Sequence, residues 1–123
     1  MGMYGPFDGA QLGLAPRLVH AADLCYIKDM ARAIPLLQTA EELQYDVYNI
    51  ASGKPTPNKE LVEAVKRVVP DFTVDLPRGH FPFPPLPLVE TKRLQSDTGF
   101  SSRFDTRSAI QDYVNWLKAG NPK

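Results

Sequence analysis

The residues of this 123-residue chain whose types could do chemistry are few. Arg78-Gly79-His80 sets two polar side chains around a glycine, an arrangement that lets a ligand approach the backbone closely, though a plain surface loop carries the same triplet. His20, the only other histidine, falls on an expected helix with no ligand partner one turn away and reads as packing. Cys25 is the single cysteine, which excludes an internal disulfide and a cysteine-built zinc site. It lies in the apolar run Leu24-Cys25-Tyr26-Ile27 with no adjacent base, and reads as a buried small hydrophobe. Ser101 and Ser102 have no visible base, and Glu41-Glu42 reads as a solvated helix end. A dinucleotide turn needs closely spaced glycines between a strand and a helix, and no stretch has that pattern. Gly53-Lys54 runs into Pro55 and lacks the Ser/Thr and helix of a phosphate loop. No catalytic residue and no metal site is expected.

Bulk properties narrow the classes. The length suits one domain, 1–123, and 43% hydrophobic with 23% charged residues is a globular composition. Fourteen basic and fourteen acidic residues cancel, so no long-range field favours nucleic acid or an anionic membrane. No run approaches the ~20 apolar residues of a membrane span, and the N-terminus lacks a basic start followed by an apolar stretch. A lone thiol fits a reducing cytoplasm.

The elements that must position these residues alternate. Residues 1–15 read as a loop, followed by a short helix over 17–22 and a strand over 23–27. Asp29 suits a helix start, with Met30, Ala33, Ile34 and Leu37 at helical spacing and Pro35 as a kink. Residues 45–51 read as a strand ended by Ser52-Gly53. Thr56-Pro57 should open a helix running to about Val69. Phe72, Val74 and Leu76 alternate as in a half-buried strand, and the five prolines of 77–87 must be extended. Residues 90–98 read as a short helix. Asp105 or Thr106 should cap the last one, with Gly120 as its stop. The class is α/β, an α+β-like small domain of short strands and about four to five helices.

Four stretches in order carry a resemblance: Tyr4-Gly5-Pro6, Tyr26-Ile27-Lys28-Asp29-Met30-Ala31, Tyr48-Asn49-Ile50, and Asp97-Thr98-Gly99-Phe100 with Ile110 and Trp116 behind it. Together they resemble the C-terminal, substrate-binding part of the extended short-chain dehydrogenase/reductases, the NAD-dependent epimerase/dehydratase family. That resemblance implies the substrate-side lobe of such an enzyme, lacking its Rossmann sheet. NAD or NADP is the cofactor implied for the family, but none is expected for this chain alone. The Tyr-x-x-x-Lys pair of the family is absent: four residues after Tyr4, Tyr26, Tyr45, Tyr48 and Tyr113 stand Asp8, Met30, Asn49, Ser52 and Leu117.

The resemblance also assigns candidate roles. Arg78-Gly79-His80 resembles the Arg-x-Gly-Asp-like segment that holds a nucleotide diphosphate, and a guanidinium fork suits phosphate oxygens. Arg78 and His80 are therefore the first substrate-binding candidates and Arg103 a further one. Tyr4 would line a nicotinamide pocket only beside a Rossmann partner. The family's loop before the strand near Asp23 is missing here, Ala22 stands at its arginine position, and Lys28 replaces the first of its paired acids. Asp29, the second acid, is expected to cap a helix. The resulting expectation is a truncated, catalytically incomplete protein that forms a homo-oligomer. The alternatives are half of a split enzyme completed by a separate Rossmann-domain chain, and a sugar-nucleotide binding module. The expected setting is cytoplasmic.

Overall fold

A computed structural model describes residues 21–76 and 88–121, together with the backbone of a short strand, β1 (Gly2–Met3). The expected helix over 17–22, except at its last two residues, and the proline-rich segment 77–87 lie outside the described residues, as do Tyr4, His20, Arg78 and His80. The elements that follow β1 are β2 (Ala21–Cys25), α1 (Ile27–Gln38), β3 (Pro55–Pro57), α2 (Asn58–Val68), α3 (Lys92–Thr98) and α4 (Thr106–Lys118). Short strands and four helices among the described residues make the α/β character plain. The chain forms two compact units. The described parts of the first are 2–3, 22–55 and 88–103, and those of the second are 21, 56–76 and 104–121.

In the first unit, β1 and β2 run parallel, with Gly2 opposite Leu24 and Met3 opposite Cys25. β2 begins at Ala21, two residues earlier than expected, and ends at Cys25, because Ile27 is already the first residue of α1. Pro35 sits inside α1 and leaves the carbonyl one turn earlier without its amide partner. The helix continues for three more residues and closes where Thr39 donates both its N–H (3.0 Å) and its hydroxyl (2.8 Å) to the Pro35 carbonyl. α1 packs with α3 around Ala33, Leu94 and Phe100, all at most 3% exposed, with Leu36, Leu37, Tyr48 and Ile50 half-buried against them.

Phe100 reaches this core through a tight turn. The Thr98 hydroxyl donates to the Leu94 carbonyl (2.6 Å) and accepts from the Phe100 N–H (3.2 Å). Gly99 takes φ +68°, the left-handed conformation that a side chain disfavours. α3 begins at Lys92 rather than at residue 90, since the Glu90 side chain lies ahead of the helix and accepts from the Lys92 N–H (2.5 Å).

In the second unit, α2 and α4 pack on one another. Ala64, Ala109 and Ile110 are buried there, and Leu61, Val62, Val65 and Val68 are half-buried along α2. Asp105 caps α4 as expected: its carboxylate accepts from the Ser108 N–H (2.7 Å), and the Ser108 hydroxyl accepts from the Asp105 N–H (3.0 Å). Gly120, at φ +83°, follows its end. Thr56 belongs to β3 rather than capping α2, and Pro57 stands one place before the helix.

Two expected strands do not form. Residues 45–51 take no strand conformation. Tyr45 and Val47 are 41% and 66% exposed, and the polar groups of this stretch engage loop and helix partners instead of a ladder. Residues 72–76 are likewise irregular, because Thr73, Val74 and Asp75 are all exposed and the alternation has no buried face to serve.

Candidate functional site

Asp29 and Arg103 come together although 74 residues separate them. Asp29 is 1% exposed, and a carboxylate removed from water needs partners. Both of its oxygens accept from the Arg103 backbone N–H (3.0 and 3.1 Å), and one accepts from Arg32 Nη2 (2.9 Å). The same guanidinium donates to the Ser101 carbonyl and lies 5.1 Å from the centre of the Phe100 ring. Asp29 therefore does not cap its own helix, which has Tyr26 at the cap position and no side-chain cap bond. It sits in the first turn of α1 and reaches across to the segment after α3. The clamp holds the backbone of Arg103 while the residue stays exposed.

Asp23 does the same work for a second segment of the unit. Its carboxylate, on a residue 7% exposed, accepts from the Ser52 N–H (2.8 Å), the Ser52 hydroxyl (2.7 Å) and the Gly53 N–H (3.1 Å). Gly53 has φ +78°, and a β-carbon there would lie 3.1 Å from Thr91 Oγ1. The turn expected at Ser52-Gly53 is present, and both backbone and space require its glycine.

An open groove of about 350 Å³ is lined by Met30, Ile34, Tyr48, Asn49, Ile50 and Val89. The Tyr48 hydroxyl donates to Asp97 and accepts from the Tyr45 N–H (3.0 Å). Asp97 also accepts from the Gln44 N–H (3.0 Å). Burial, and then the bond to Asp97, raise the Tyr48 pKa, while the bond from Tyr48, and then that from Gln44, lower that of Asp97. The pairing of the Tyr48 hydroxyl with Asp97 holds the loop in place. Asn49 donates to the Glu90 carbonyl (3.2 Å). The groove is apolar with amide and phenol edges. Tyr48-Asn49-Ile50 and Met30 stand in the stretches that carry the resemblance, but none of the six lining residues was expected from the sequence to line a groove.

Cys25 is 1% exposed, and burial first, then Asp29 and Asp23, push its thiol from 9.0 up to about 11. It is the inert buried residue that its apolar neighbours implied. Among the described residues, no group of three or more His, Cys, Asp or Glu side chains could hold a metal ion. Nor is any helix there long and apolar enough to cross a membrane.

No protein-family model matches this sequence, and no curated protein matches it. Solved structures do. The Bordetella bronchiseptica enzyme WbmF, in complex with NAD+ and UDP, superposes with a TM-score of 0.66 at 24% identity, over 84% of this chain and 30% of its own. A dTDP-glucose 4,6-dehydratase from Bacillus anthracis, in complex with NAD, gives 0.68 at 16% identity, over 96% and 42%. An L-threonine dehydrogenase from Phytophthora infestans gives 0.69 at 20%, over 87% and 36%. The chain therefore has the fold of part of the NAD-dependent epimerase/dehydratase type of short-chain dehydrogenase, as its motifs implied. It spans about a third of the length of the first of these structures.

Proposed function

We propose that this chain is the substrate-side, C-terminal lobe of an NAD-dependent sugar-nucleotide epimerase/dehydratase-like protein, catalytically incomplete by itself and self-associating in the cytoplasm. The observation that carries the reading is the fold match confined to about a third of structures that hold NAD or NADPH. It is joined by the lack, in the sequence, of both the glycine fingerprint and the Tyr-x-x-x-Lys pair. The described groove adds no acid, base or nucleophile to replace them. The threonine dehydrogenase among the neighbours shows that this fold also serves a substrate other than a sugar nucleotide. The sugar-nucleotide part of the reading accordingly rests on WbmF, the dehydratase and the UDP-glucuronic acid complex of MoeE5.

A second reading follows from the same partial span: the lobe is completed by a separate chain that carries the nucleotide-binding half. Calorimetric titration separates these readings from a free-standing binding module. The incomplete lobe gives no heat with NAD+ or with a UDP-sugar at millimolar ligand, and a clear isotherm with the sugar nucleotide alone favours the module. Completion by a partner predicts that a nucleotide-binding chain co-purifies from the native host and confers turnover on mixing.

A further inference from the structure

We draw no further inference here: the strongest candidate, the second apolar arc of α1, where Ile27 and Ile34 are exposed and Met30 and Ile34 line the groove, carries nothing because nothing in the structure shows what covers it.

Discussion

Asp29 shows how a single residue's role departs from what its neighbours in sequence suggest. An aspartate near a helix start is a good capping residue, and that expectation needs only local chemistry. The bond it makes instead is with a backbone amide 74 residues away. Removing it leaves that amide and a part-buried guanidinium without their acceptor. Asp29→Ala should therefore cost about 3 kcal/mol in chemical denaturation, the scale of breaking a buried charged pair. A loss below about 1 kcal/mol would show that the clamp is dispensable. Cys25 was legible, because an apolar run around a lone thiol implies burial. Its folded pKa is raised to about 11 from an ordinary 9.0. The sign follows: below pH 9 both states keep the proton and the stability is intact. Between about 9 and 11 the unfolded chain ionises first, so stability falls as pH rises. Cys25→Ala should flatten that slope, and the wild-type thiol should react with a disulfide reagent only on unfolding.

At the scale of elements, helices with local stop and start signals were readable. α4 has its Asp105 cap, its capping-box partner Ser108 and its closing Gly120 within the segment itself. Asp105→Ala should lower stability by about 1 kcal/mol, measured by thermal unfolding. Strands were less readable, because their partners lie far along the chain. Tyr45–Ala51 has the composition of a strand, but Tyr48 is held by Asp97, 49 residues on, and Val47 points to solvent. The second apolar arc of α1 was visible in principle: Ile27, Met30 and Ile34 recur at helical spacing beside Ala33 and Leu37, and only one arc can face one core. Turn glycines separate by surroundings as well as by φ. Gly53→Ala meets both a left-handed backbone and Thr91 Oγ1 at 3.1 Å, whereas Gly120→Ala meets open space. The first should cost about 2 kcal/mol and the second about 1 kcal/mol; equal losses would mean that the Thr91 contact relaxes freely.

At the scale of the whole molecule, the order of four weak motifs carried more information than any one residue. Their spacing reproduces the path of a fold now matched over most of the chain, although identities of 16–24% are too low for side-chain roles to transfer. Of the candidate site residues, Arg103 is held by its backbone and exposed, while Tyr4, Arg78 and His80 lie outside the described residues. The proposed incompleteness means that this lobe should do no chemistry without a nucleotide-binding half. The direct measurement is a turnover assay of the chain alone with NAD+ and UDP- or dTDP-glucose, following product sugars by chromatography and reduced cofactor by absorbance. Neither product nor reduced cofactor should rise above the enzyme-free control. Sustained turnover that scales with the concentration of the purified chain would contradict it.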